Sequence, residues 1–281
     1  MLAKVTGCAI VGLAGELISV EVDIASGLPA FNVVGLPDAA VTEARERVRA
    51  AIRNAGANFP AKRITVNLAP ADLRKEGAGY DLPIAVGILL ASGQLPADFG
   101  RRTVFLGELA LNGDLRHVPG ALPVASSVRD HGYARLVVPS VNAAEAALVD
   151  KIEIGSVDSL AVLMSAAHGE TPLPIYDRES SSPTEEPRVV PELDFSDVRG
   201  QEHVKRALEV AAAGGHNVLM TGPPGAGKTL LARAVPGIMP RLSNQEALDV
   251  TKIYGVPPQA FAPLDFYLGG RHQTATNCAK L

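Results

Sequence analysis

From Leu17 to Ile24 the chain reads Leu-Ile-Ser-Val-Glu-Val-Asp-Ile, apolar and polar side chains in near alternation. An extended strand turns successive side chains to opposite faces, so this pattern predicts a strand buried on one side. Arg63 to Leu68 repeats it. The apolar stretch Cys8-Ala-Ile-Val-Gly12 and the short Phe31-Asn-Val-Val34 predict two more strands, with Gly27-Leu-Pro29 as a turn. From Asp38 the period changes. Val41, Ala44, Val48, Ala51, Ile52 and Ala55 recur at helical spacing, while Glu43, Arg45, Glu46, Arg47, Arg49 and Arg53 fall mostly on the other face. Asp38 is placed to cap this helix and Gly56 to stop it. Leu82 to Ser92 is apolar nearly all round and predicts a buried helix. Val104-Phe-Leu106, Leu136-Val-Val138 and Ile152-Glu-Ile154 predict short strands, and Ala143 to Val149 and Ser159 to Ala167 predict helices. Strands mixed with helices and hairpin-like turns predict an α+β unit over residues 1–169, not a regular βαβ series.

Residues 170–194 break the pattern. Five prolines and the run Ser180-Ser-Ser fall between residues 170 and 197, with eight acidic residues against two basic ones. Proline, serine and like charge together disfavour packing, so an exposed linker is expected. A second unit is expected over residues 195–281. Gln201 to Ala213 carries Val204, Ala207, Leu208 and Ala211 on one helical face. Asn217-Val-Leu-Met-Thr221 predicts a strand, and Lys228 to Val235 a helix.

Composition narrows the function classes. Of 281 residues 47% are apolar and 20% charged, and the net charge is -4. A wholly disordered chain and a globally basic nucleic-acid binder are excluded, though a local basic patch is not. The two cysteines, Cys8 and Cys278, sit at opposite ends with no CxxC, so neither a disulfide framework nor a zinc site is expected. The longest apolar run, Ile84 to Ala91, is eight residues, against the roughly 20 that a membrane-spanning helix needs. The start lacks a signal peptide, and a cytoplasmic protein without membrane association is expected.

The strongest chemical signal is Gly222-Pro223-Pro224-Gly225-Ala226-Gly227-Lys228-Thr229, which fits G-x-x-x-x-G-K-[ST] in full between a predicted strand and a predicted helix. Glycines let backbone N–H groups converge on phosphate oxygens without Cβ clashes. Lys228 is a point charge for the β- and γ-phosphates, and Thr229 offers a hydroxyl to Mg²⁺.

Phe195-Ser-Asp-Val-Arg-Gly-Gln-Glu-His-Val-Lys-Arg-Ala-Leu-Glu-Val-Ala-Ala-Ala-Gly-Gly-His-Asn-Val-Leu-Met220, followed by that loop, resembles the magnesium-chelatase-like AAA+ ATPases, most nearly the bacterial YifB/ComM group. Gly27-Leu-Pro-Ala-Phe-Asn-Val-Val-Gly-Leu-Pro-Asp38 and Lys62-Arg-Ile-Thr-Val-Asn-Leu-Ala-Pro-Ala-Asp-Leu-Arg-Lys-Glu-Gly77 look like the same group. The resemblance runs from Met1 to about Tyr254, and the tail from Gly255 departs from it, so a truncated form is expected. It implies ATP and Mg²⁺ as cofactors, an adenine contact by the segment matching Val198-Arg-Gly200-Gln201, and a homo-oligomeric ring. It also implies a DNA motor of the ComM type; the alternatives are a chelatase-like remodeller of proteins and a fragment that holds nucleotide without turnover. The second unit would be the first part of an α/β P-loop AAA+ domain. After Thr229 only Glu246, Asp249 and Asp265 offer carboxylates, none behind a run of four apolar residues, so no acidic pair for hydrolysis is recognised and no catalytic residue is assigned.

Leu106-Gly-Glu-Leu-Ala-Leu-Asn-Gly-Asp-Leu-Arg-His-Val118 resembles a stretch of Lon-type protease domains, which implies a Lon-like, ribosomal S5 domain 2-like first unit. Those proteases use a Ser nucleophile and a Lys base. The matching serine loop is Lys75-Glu-Gly-Ala-Gly-Tyr-Asp81, without serine; the lysine position falls near Leu122, and no lysine occurs between Lys75 and Lys151. Protease chemistry is therefore not expected. Residues 43–76 carry eight basic and four acidic side chains. Arg45, Arg49, Arg53, Lys62 and Arg63 are candidates for DNA phosphate contacts, the alternative being a solvated helix face with Glu–Arg pairs.

Overall fold

A computed structural model describes residues 2–73, 75, 77–178, 193–240 and 242–255. Backbone contacts divide the described residues into two compact units, one up to residue 178 and one within residues 193–254.

The first unit is a seven-stranded mixed sheet with strand order β3-β4-β2-β1-β5-β8-β9. Strands β1 (Leu2–Val11) and β2 (Ala14–Ala25) form a long hairpin, from Leu2 opposite Asp23 to Val11 opposite Ala14. β4 (Arg63–Ala69) runs antiparallel to β2 and parallel to β3 (Ala30–Val34). Helix α1 (Ala39–Asn54) makes the crossover between β3 and β4. Its start is fixed by Asp38, whose side chain accepts the Val41 N–H at 2.8 Å. On the other side of β1, strands β5 (Thr103–Phe105), β8 (Arg135–Pro139) and β9 (Glu153–Val157) are all parallel. Helices α3 (Ala121–Asp130) and α4 (Ser140–Ala146) connect them, with a small hairpin of β6 (Glu108–Leu109) and β7 (Leu115–Arg116) before α3. This half is a βαβ series, and parallel pairs outnumber antiparallel ones across the sheet. The expectation of α+β without such a series is corrected to a mixed α/β unit.

Alternation places Val20, Val22, Ile64 and Val66 on the face of the sheet that packs on the helices. Val41, Ala44, Val48, Ala51 and Ile52 of α1 meet them with no solvent exposure. All of helix α2 (Asp81–Ala91) is buried. Gly87 permits its close approach, since a Cβ there would lie 2.6 Å from Val22 Cγ2. Helix α5 (Leu160–Ala167) follows β9, capped by Ser159, whose hydroxyl accepts the Val162 N–H.

α4 begins three residues before the predicted helix, and β9 extends to Val157. α3 has no counterpart in the predicted elements; Pro123 and Ser126-Ser127 hide it, yet proline in the first turn gives up no helical hydrogen bond. The start of the expected linker is part of the fold. Ser156 N–H donates to Pro174 O and Tyr176 N–H to Ile154 O, both at 2.8 Å, so the chain returns along β9. Arg178 then donates to the carbonyls of Val149 and Ile152. Residues 179–192 of that linker lie outside the described residues.

The second unit contains α6 (Glu202–Gly214), α7 (Lys228–Ala234), α8 (Asn244–Gly255) and 3₁₀ turns at Phe195–Asp197 and Val235–Ile238. Val198, Leu208, Leu231 and Ala234 form its buried core. Residues 217–221, predicted as a strand, are not one. A strand exists only through a neighbour that takes up its N–H and C=O groups. No described strand of this unit pairs there, and Leu219 is 89% exposed. No helix among the described residues is long and apolar enough to cross a membrane.

Candidate functional site

The candidate phosphate loop, residues 222–229, joins residues 217–221 to α7. Gly225 and Gly227 have φ of 79° and 80°, the left-handed region that side chains rarely adopt. A Cβ at either position would meet nothing within 4 Å, so the backbone conformation, not space, is what requires glycine there. Ala226 N–H donates to Pro223 O at 3.3 Å, and Leu231 N–H to Gly227 O at 2.9 Å as the helix begins. Lys228 opens α7, and its Nζ reaches back to the carbonyls of Gly222 (3.0 Å) and Pro223 (2.9 Å). The ammonium therefore lies inside the loop's curve. Thr229 follows, exposed, in the first turn.

The segment before α6 comes to the same place. Gln201 precedes the helix with a left-handed φ of 60°, and its side-chain amide donates to Ala226 O at 3.0 Å. Gly200 is exposed with φ of 69°. Val198 is only 4% exposed and packs in the core with Leu208, Leu231 and Ala234. Of the expected adenine segment, then, Gln201 touches the phosphate loop and Val198 supports it from beneath. Ahead of both, Asp194 and Asp197 cap the 3₁₀ turn: Asp194 accepts the Ser196 N–H and Asp197 the Asp194 N–H, each at 2.8 Å. The Ser196 donors hold the Asp194 carboxyl below its ordinary value.

Glu246, one of the carboxylates after Thr229, is engaged in a helix start. It accepts from the backbone and hydroxyl of Ser243, while Ser243 Oγ accepts the Glu246 N–H, a capping box at α8. Ser243-Asn-Gln-Glu246 is the sequence signal for that role. Asp265 lies outside the described residues.

The basic stretch of the first unit does not stay together. Arg45, Arg53, Lys62 and Arg63 are exposed, and Arg45 lies 3.4 Å from Glu46. Arg49 is half-buried; its guanidinium sits 5.8 Å from the Phe59 ring centre, and its Nε has no hydrogen-bond partner among the described residues. Arg47 is held by Asp81 in a two-pronged pair at 2.7 and 3.0 Å. Lys75 is fully buried, with its ammonium donating to Pro70 O; burial lowers its pKa, opposed by Asp72. Arg74 is outside the described residues. Leu122, at the position matching the protease lysine, is fully buried at the start of α3.

Comparison with known proteins fits this layout. The family described as subunit ChlI of Mg-chelatase matches residues 20–142, and the family described as magnesium chelatase, subunit ChlI, matches residues 194–265. The second match passes Gly255, so the departure from the family that the sequence suggested there begins later. The chain is similar to the uncharacterised protein YifB of Salmonella typhimurium, at 48% identity over 254 residues, covering 90% of this chain and 49% of that one. It is similar to the competence protein ComM of Haemophilus influenzae at 42% over 252 residues, again 90% and 49%. An uncharacterised protein of Mycobacterium tuberculosis is 44% identical over 257 residues, 91% of this chain and 50% of that one. The chain thus spans about half the length of the curated relatives it matches. Similarity of this degree across both units, with the phosphate loop inside the second match, places the chain in the YifB/ComM family of magnesium-chelatase-like proteins.

Proposed function

We propose that the second unit binds ATP with Mg²⁺ through Gly222–Thr229. The observation that carries this is the complete loop with Lys228 Nζ turned into its curve and Gln201 fastened to its far side. An ammonium, a hydroxyl and a backbone bare of side chains at two left-handed glycines are a donor set suited to a phosphate chain and its cation. Lys228 would exchange its two carbonyl acceptors for β- and γ-phosphate oxygens. Thr229 would face Mg²⁺, which when bound neutralises charge on the phosphates. With Val198 in the core, the adenine contact would fall to the exposed backbone around Gly200. The first unit is read as Lon-like without the protease pair, and the protein as cytoplasmic.

As the wider role we infer an ATP-dependent DNA motor, in keeping with a relative named as a competence protein and with Arg45, Arg53, Lys62 and Arg63 left exposed. The protein-remodelling alternative would leave DNA affinity unchanged when Arg53, Lys62 and Arg63 are replaced together. For nucleotide binding, a fluorescent ATP analogue is titrated into the chain and into Lys228→Ala. Loss of binding in the variant, with the first unit still folded, is expected; equal affinities would overturn the assignment.

A further inference from the structure

Lys4 and Thr6 on β1, Arg101 and Arg102 in the turn before β5, and His131 and Tyr133 in the turn after α3 line one cavity of about 420 Å³. The sheet brings them together. Thr6 pairs with Val104 and Thr103 with Arg135, so the starts of three neighbouring parallel strands meet there. Three of these side chains carry fixed positive charge, and the lining holds no carboxylate.

None of the nearby carboxylates forms an ion pair with these cations among the described residues. Glu21, across the hairpin from Lys4, accepts from Asn67 at 3.0 Å and from Ser19. Asp130 pairs with Arg129 and Glu153 with Arg135. Asp98 lines an adjoining cavity of about 290 Å³, whose wall shares Gly100 and Arg101 with this one, and it forms no ion pair with Arg101. Among the described residues Lys4, Arg101 and Arg102 have no ion-pair partner. Like charges gathered in a concave wall repel one another and focus a positive field into the cavity.

The wall is also held in shape. Gly100, Arg102 and Gly132 have φ of 84°, 55° and 71°, and Arg102 is a rare non-glycine in that region. Its guanidinium donates to Gly132 O at 2.9 Å, and its own carbonyl accepts from Ala134 and Arg135 N–H. Those bonds stitch the two turns together. Thr6 Oγ1 and Tyr133 Oη lie 3.3 Å apart, adding hydroxyl donors to the cations.

We propose that this cavity binds a phosphoryl-bearing anion, independently of the phosphate loop in the other unit. Guanidinium and ammonium groups beside hydroxyls are the donors that phosphate oxygens select. The volume falls within the roughly 300–1,000 Å³ of small-molecule sites, larger than a single phosphate requires. The ligand is therefore a small polyphosphate or a stretch of phosphodiester backbone, two sources of one chemistry.

The test uses the full chain carrying Lys228→Ala, so that the phosphate loop does not contribute. Pyrophosphate is titrated by calorimetry and a labelled single-stranded oligonucleotide by fluorescence anisotropy. At least one should bind, and Lys4→Ala with Arg101→Ala should weaken it on the order of tenfold or more, as expected for losing charge-assisted bonds. Both replaced side chains are exposed and unpaired, so the melting temperature should hold; Lys4→Gln with Arg101→Gln repeats the test with less change of shape. Pyrophosphate binding alone identifies a free polyphosphate. Oligonucleotide binding with a steep salt dependence identifies the phosphodiester backbone. Absence of binding by both probes up to about 10 mM would overturn the proposal. So would unchanged affinity in the variants, or an equal loss from Arg116→Ala with Lys151→Ala, exposed cations of the same unit outside this cavity and outside the proposed DNA contacts, which would point to net charge alone.

Discussion

Asp81 opens α2 with its carboxylate wholly shielded from solvent. Oδ2 accepts from Arg47 Nε at 2.7 Å, Oδ1 from Arg47 Nη2 at 3.0 Å, and the Leu109 N–H gives a third bond at 3.2 Å. Withdrawal from water outweighs these donors, and with Glu108 adding repulsion, the carboxyl is pushed up to about 6. A carboxyl held above its unfolded value binds its proton more tightly in the folded chain. Its contribution to stability is complete below about pH 4 and is lost as the pH rises through 6. Two pKa units correspond to about 3 kcal/mol. At pH 7 the group is still mostly ionised, and its contact with Arg47 raises the guanidinium in turn.

Asp81→Asn removes the titration with little change of shape. The unfolding free energy of the first unit, native minus variant, should therefore grow by about 2–3 kcal/mol between pH 8 and pH 4, beginning near pH 6 and half complete near pH 5. Urea unfolding at a series of pH values, read from hydrogen exchange of the α2 amides, isolates this unit from the other. A difference that stays flat between pH 8 and pH 5 would refute the reasoning. Arg47→Gln probes the other partner. At pH 8 it leaves a buried carboxylate with no cation and only the Leu109 N–H, which costs about 3–5 kcal/mol, or roughly 6–20 °C in Tm. At pH 5 the carboxyl is protonated and the loss should be smaller.

Two further outcomes follow from single contacts. Gln201→Ala removes the bond to Ala226 O and should weaken binding of the ATP analogue about 2- to 12-fold; Gln201→Met, which keeps the length and also cannot donate, should match it, and native affinity in either variant would refute a latch on the loop. Lys75→Met replaces a buried ammonium by an apolar chain of similar length and should leave the first unit as stable or about 1 kcal/mol more so in urea unfolding; a loss above about 2 kcal/mol would show that the Pro70 bond outweighs the desolvation.

What the sequence made legible was local. Helix α1 could be read because its burial, its Asp38 cap and its period all lie within one stretch of chain. The phosphate loop could be read because glycine, lysine and threonine at fixed spacing meet one local demand. The basic run from Arg45 to Lys75 shows where such reading stops. Its summed charge carries no direction, and the fold turns Arg47 to Asp81, Arg49 to Phe59 and Lys75 to Pro70. Asp81 was visible as the end of a serine-less loop, but its partner stands 34 positions away on another helix. Residues 217–221 fail in the opposite sense: the apolar run is there, but strand formation is a property of pairs. Lys4, Arg101 and His131 lie on segments with no shared pattern, and only the parallel pairing of β1, β5 and β8 makes them neighbours. A site assembled by strand order is thus invisible to any window of sequence, whereas a site contained in one turn is visible before folding is considered. The two phosphate-binding assignments fall on either side of that line. Lys228→Ala tests a motif, and Lys4→Ala with Arg101→Ala tests a topology.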